Sequence, residues 1–113
     1  MTKPLTVEGR VNQVGFYSDC VPTLAIMFKK EQVLELGLPQ TGRIEVTLVV
    51  GERKSAAGIR TTEKMVDFKL CPDLVDEGGA PIRLADVLLA IGLSQRSRFL
   101  MAIDSHSITI NQG

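Results

Sequence analysis

Two stretches of this chain, residues 33–49 and 88–104, carry one pattern, and that duplication limits the folds open to it. Gly37 aligns with Gly92, and the same spacing lays Leu34 on Leu89, Leu38 on Leu93, Gln40 on Gln95 and Arg43 on Arg98. Val33, Leu36, Ile44, Val46 and Leu48 fall on Leu88, Ile91, Phe99, Met101 and Ile103, apolar on apolar throughout. Each copy reads as the apolar end of a helix, a Gly-Leu stop, a short turn and a strand of period two. Neither copy can close a core alone, so the two are expected to interlock around one interior with approximate two-fold symmetry.

The flanking sequence supplies the remaining elements. Leu5, Val7, Val11 and Val14 among polar neighbours predict a first strand with a break near Gly9, then loop chemistry over 16–22 and a second strand over 23–28. A short helix begins at Lys29 and ends at Gly37, the expected left-handed terminator, with Pro39 beyond it. Strand three follows, with Ile44, Val46 and Leu48 on its apolar face. A hairpin tip over 51–55 leads to a fourth strand over 56–60, where Gly58 marks a bulge or a close backbone approach. A second tip over 61–64 precedes a fifth strand, 65–71, with Val66, Phe68 and Leu70 on one face. Residues 72–81 carry Asp73, Asp76 and Glu77 without a base and read as a solvated acidic loop. Leu84, Val87, Leu88 and Ile91 define a second helix over 82–91. Strand six (98–104), a turn at Ser105-His106 and a last strand (107–111) complete an order of β-β-α-β-β-β-α-β-β. The expected fold is a single domain, 1–113, mainly β with two short α-helices: a seven-stranded barrel of two β-β-α-β repeats.

Whole-chain quantities narrow the function classes. At 113 residues one core is feasible and two are not. Thirteen basic side chains balance 13 acidic ones, which argues against a blanket polyanion binder but leaves room for a local basic face. Cys20 and Cys71 sit in no metal-ligand spacing and have apolar neighbours, so two buried, reduced thiols are expected, with one disulfide as the alternative. Gly78-Gly79 lacks the Lys-Ser/Thr of a phosphate loop, the acidic loop lacks calcium-loop spacing, and His106 reads as a turn residue. No catalytic set, metal or cofactor is therefore expected. Residues 1–4 hold no apolar signal core and no stretch reaches the length that spans a bilayer, so the expected location is cytoplasmic, away from membranes.

The strand and helix order resembles the DNA-binding pseudobarrel found in plant transcription factors and in restriction-endonuclease recognition domains. The resemblance covers residues 7–110. It is carried by Phe28-Lys29-Lys30-Glu31-Gln32 leading to Leu36-Gly37-Leu38, by Ala57-Gly58-Ile59-Arg60-Thr61-Thr62 leading into Met65-Val66-Asp67-Phe68, and by Pro72-Asp73-Leu74 through Leu84-Ala85-Asp86-Val87-Leu88. The doubled unit is also similar to cradle-loop and double-psi barrels, which include transcription regulators and a few enzymes. The pseudobarrel resemblance implies two arms embracing a DNA major groove, here residues 13–19 and 53–64.

In the second arm, Arg53, Lys54, Ser55, Arg60, Thr61, Thr62 and Lys64 mix cations with hydroxyls, a combination suited to phosphate and base-edge contacts. Gln13, Tyr17 and Ser18 are the candidates in the first. The sequence thus predicts a non-enzymatic module for double-stranded DNA. A protein-interaction barrel, acting as adaptor or inhibitor, is the first alternative and a double-psi enzyme the second.

Overall fold

The computed structural model describes residues 5–39, 41–94, 96–104 and 106–110. Strands β1 (Leu5–Phe16) and β2 (Pro22–Lys29) precede a 3-10 helix (Lys30–Leu36), and β3 (Gly42–Val50), β4 (Arg53–Thr61) and β5 (Asp67–Leu70) follow it. Next come β6 (Asp73–Asp76), β7 (Pro81–Arg83), helix α1 (Leu84–Ala90), β8 (Arg98–Ile103) and β9 (Ser107–Ile110). The ladder runs β3-β9-β8-β1-β2-β5-β4 and returns to β3, closing a seven-stranded barrel. Its pairings are antiparallel except β3–β9, and the β6–β7 hairpin hangs on the first half of β4.

Strand pairing is unchanged when β1 is exchanged with β4, β2 with β5 and β3 with β8. Arg10↔Arg98 becomes Arg60↔Arg43, Arg10↔Met27 becomes Arg60↔Lys69, and Met27↔Lys69 maps onto itself. β9, between β3 and β8, has no counterpart, nor has the β6–β7 hairpin. Burial follows the same exchange. Val46, Leu48 and Val33 are buried, as are Met101, Ile103 and Leu88, whereas Leu34 and Leu89 face solvent. Gly37 and Gly92 both hold left-handed backbone, φ 66° and 82°. The two stretches thus have matching strand partners and burial at these positions. Gln40, Gln95, Ser105 and residues 1–4 and 111–113 lie outside the described residues.

Period-two strands bury one face around a core centred on Phe28 and Phe68. These two residues are cross-strand partners, fully buried, with ring centroids 5.5 Å apart. Burying each such side chain contributes about 1.5–3 kcal/mol.

Several local expectations give way. β1 runs unbroken through Gly9, whose missing side chain makes room for the Phe99 ring: a Cβ there would stand 2.9 Å from Phe99 Cζ. The register shift falls instead between Gln13 and Gly15. β5 starts only at Asp67, so Val66 leaves the apolar face and is 76% exposed, its carbonyl accepting the Lys30 N–H. The first helix is a 3-10 segment broken at Val33, and the second begins at Leu84 because Ile82 and Arg83 pair in β7.

The acidic loop is largely a hairpin. Asp76 nucleates it, its carboxylate accepting the N–H groups of Gly78 and Ala80, while Leu74 buries itself beneath. Both cysteines are free, but only Cys71 is buried; Cys20 is exposed. No helix among the described residues is long and apolar enough to cross a membrane.

Candidate functional site

Strand direction separates the residues that the sequence grouped into one arm. Arg53 and Lys54 open β4 and Arg60 stands near its far end, six to seven steps of about 3.3 Å, or roughly 20–23 Å, away. Residues 53–61 are therefore a barrel strand, with cations at both ends, and not a free arm. β1 and β4 run in opposite directions, so the β1–β2 tip with Tyr17 and Ser18 shares an end of the barrel with Arg53 and Lys54. Helix α1 stands between these tips. Its Val87 and Ala90, with Ile91 just past its end, line a cavity with Val50, Gly51, Glu52 and Arg53, while Leu89 lines another with Gln13 and Leu24.

Alternation along β4 turns Lys54 and Arg60 outward and Ser55 and Thr61 inward, where both are buried. The Thr61 hydroxyl donates to the Asp67 carbonyl at 2.9 Å. Neither hydroxyl can reach a partner at the surface, so Ser55 and Thr61 leave the candidate set. Thr62 and Lys64 are exposed, and the Thr62 carbonyl accepts from Lys30 Nζ at 2.9 Å. Gln13 is half-buried and donates to the Gly15 carbonyl at 3.3 Å.

Ser18 is exposed, whereas Tyr17 packs beneath Arg83, whose guanidinium lies 4.0 Å from the ring centroid and pairs with Asp19 at 2.9 Å. Burial, then the Asp73 charge, pushes the Tyr17 phenol above its ordinary pKa. Hydrogen bonding from Arg83 holds the Asp19 carboxyl below its own. The Tyr17 ring thus serves as packing for the loop, while its buried hydroxyl has no hydrogen-bond partner among the described residues.

Register assembles a different set. Arg43 on β3 stands opposite Arg60 on β4, Arg60 opposite Lys69 on β5, Lys69 opposite Met27 on β2, Met27 opposite Arg10 on β1, and Arg10 opposite Arg98 on β8. The row positions on β4, β5, β2 and β1 are each flanked by two buried residues, and Arg43 and Arg98 by the partly buried Ile44 and Phe99, so these side chains point outward. Five of the six are cations. With strands about 4.8 Å apart, the row covers roughly 24 Å along the wall.

Three carboxylates touch the row. Asp67 accepts from Arg10 at 3.0 Å, Glu45 from Arg43 at 3.0 Å, and Glu8 lies 3.9 Å from Arg98. Arg60 and Lys69 make no ion pair among the described residues. Gly58 holds one end of the row in place: the Arg43 guanidinium lies over it, and a Cβ there would come within 2.6 Å. The close approach expected at Gly58 is thus an approach by Arg43. Of the row, only Arg60 was among the residues proposed from sequence. The others escape because pairing across distant strands is invisible in a linear charge count.

Among the described residues no group of three or more His, Cys, Asp or Glu side chains is placed to hold a metal ion. No protein family model, curated protein or solved structure matches the chain.

Proposed function

We propose that this barrel is a non-catalytic module that binds double-stranded DNA through its cationic row, the middle of the row seating on the phosphate backbone. The observation that carries this reading is the direct cross-strand register of Arg43, Arg60, Lys69, Arg10 and Arg98. Opposed like charges cost stability in a sheet, and a polyanion laid across them converts that cost into attraction. The row wraps most of a closed barrel, so a straight duplex meets Arg60, Lys69 and Arg10 first, with Arg43 and Arg98 flanking. Thr62 and Lys64, just beyond β4, extend the same end. The arginine forks suit phosphate oxygens and guanine edges alike.

Four or so phosphate contacts imply a log–log salt slope of about −3 to −4. Fluorescence anisotropy with a pooled random duplex measures that slope, and the double reversal Arg60→Glu/Lys69→Glu should abolish binding. Absence of binding at low salt, or binding indifferent to the reversal, removes the proposal.

One observation favours a second reading, a protein-interaction barrel. Leu34 and Val66, 63% and 76% exposed, line a largely apolar cavity of about 550 Å³ with Met65, Lys29, Lys30 and Glu63. A protein partner seated there would tolerate charge reversal at Arg60, which distinguishes the two.

A further inference from the structure

One end of the row opens beside a cavity that the two-fold arrangement does not require. Glu8, Arg10, Lys29, Gln32 and Arg98 line a space of about 220 Å³ on the outer wall, where β1, β8, the end of β2 and the 3-10 helix meet. Three cations and an amide converge there against one carboxylate in the lining. Arg10 and Arg98 are cross-strand partners, so their guanidinium groups start from adjacent points on the wall. Asp67 takes one Arg10 nitrogen at 3.0 Å, and the Glu8–Arg98 contact, at 3.9 Å, is loose.

Exchanging the halves of the barrel exposes what is special here. Arg60 and Arg43 take the places of Arg10 and Arg98, but Gly58, Cys71 and Val87 stand where Glu8, Lys29 and Gln32 do. The second half thus lacks those three polar side chains, so Glu8, Lys29 and Gln32 form a set particular to this cavity.

We infer that this cavity binds one phosphate group, held by the Arg10 and Arg98 guanidinium groups, the Lys29 ammonium and the Gln32 amide. The volume equals about seven waters at ~30 Å³ each, room for a tetrahedral oxyanion and part of its hydration. Paired arginine N–H donors match phosphate oxygens in geometry, and lysine adds a point charge. Glu8 competes with the ligand for Arg98 and swings away when the phosphate enters. The inference rests on the duplex-binding reading in that Arg10 and Arg98 belong to both sites, whereas Lys29 and Gln32 belong to this one alone.

The test is a titration of the full chain with inorganic phosphate, followed by amide chemical shifts, with chloride as the control. Saturable shifts confined to the segments around Glu8, Lys29, Gln32 and Arg98 are expected, with a dissociation constant of about 1 mM. Lys29→Ala and Gln32→Ala should each weaken phosphate binding, the lysine variant by about tenfold, a change that corresponds to one lost charge-assisted contact. Glu8→Gln should tighten it. These residues are solvent-accessible, so unchanged shifts elsewhere verify the fold.

Adding a duplex then identifies the source of the group. If duplex and phosphate compete for these signals, the site takes a backbone phosphate. If the duplex leaves them unmoved, the site takes a free phosphorylated ligand, and either result supports the cavity. Shifts that fail to saturate, match those with chloride, or saturate at an unchanged phosphate concentration in the Lys29→Ala variant overturn the inference. Duplex binding sensitive to Arg60 and Lys69 would survive that outcome, so the two proposals fail separately.

Discussion

Arg60 stands directly opposite Arg43 across the β3–β4 ladder, and Lys69 stands opposite Arg60 on its other side. Like charges so placed destabilise a sheet by roughly 0.2–1 kcal/mol. Glu45 relieves Arg43 but not Arg60. A β-branched neutral residue would suit the position better. Arg60→Thr is therefore expected to raise stability by about 0.2–1 kcal/mol in urea denaturation. The same variant should weaken duplex binding and flatten its salt slope by about 1. A destabilised variant would mean that packing of the arginine stem outweighs the repulsion, leaving no trade between stability and binding.

The tip cations provide the matching control. Arg53 and Lys54 lie roughly 20–23 Å along β4 from Arg60, beyond the screening length of about 10 Å at 0.1 M salt. Arg53→Glu/Lys54→Glu should therefore leave duplex affinity within about threefold of the parent at that salt. Anisotropy titrations of the tip and row double variants in parallel decide between them. A large loss from the tip variant would restore the arms as the binding element.

The barrel was legible in the sequence because its determinants are local. Gly37 and Gly92 terminate their helical segments, and Ile44–Leu48 and Phe99–Ile103 announce strands by alternation, whatever they pair with. The β6–β7 hairpin was hidden because Leu74 and Val75 are too few to declare a strand. The turn is set by one carboxylate, Asp76, bonding to main-chain groups ahead of it. Ser55 and Thr61 looked like ligand-contacting hydroxyls because tips are polar, yet β4 extends through both and alternation turns them inward. The cationic row depends on five strand registers, two of them (β2–β5 and β1–β8) between strands far apart in sequence, and nothing along the chain fixes those until the barrel closes.

The paired glycines offer a direct measure of how equivalent the halves are. At Gly37 and Gly92 an added Cβ would meet nothing within 4 Å, so the cost of substitution is conformational alone. Left-handed backbone costs a non-glycine residue about 1–2 kcal/mol. Gly37→Ala and Gly92→Ala should each lower stability by that amount, and by similar values, in denaturant titrations. Clearly unequal losses would indicate that one terminator is locally redundant and the halves are energetically distinct.

A pH dependence is expected from the β8–β9 turn. Asp104 Oδ1 accepts the N–H groups of His106 and Ser107, both at 2.7 Å, and Oδ2 accepts the Ser107 hydroxyl at 3.0 Å. The main-chain bond from His106 is the largest influence holding this carboxyl below its ordinary pKa, opposed by burial. A carboxyl depressed in the folded state stabilises it fully above the unfolded value of about 3.9, and that stabilisation fades as pH falls through the folded value. Asp104→Asn should therefore cost about 1 kcal/mol at pH 7, the order of one hydrogen-bonded group at a part-buried site. The gap between parent and variant should narrow when unfolding is measured well below the ordinary carboxyl range. A gap that stays constant from neutral to strongly acidic pH would mean that the turn gains nothing from the charge.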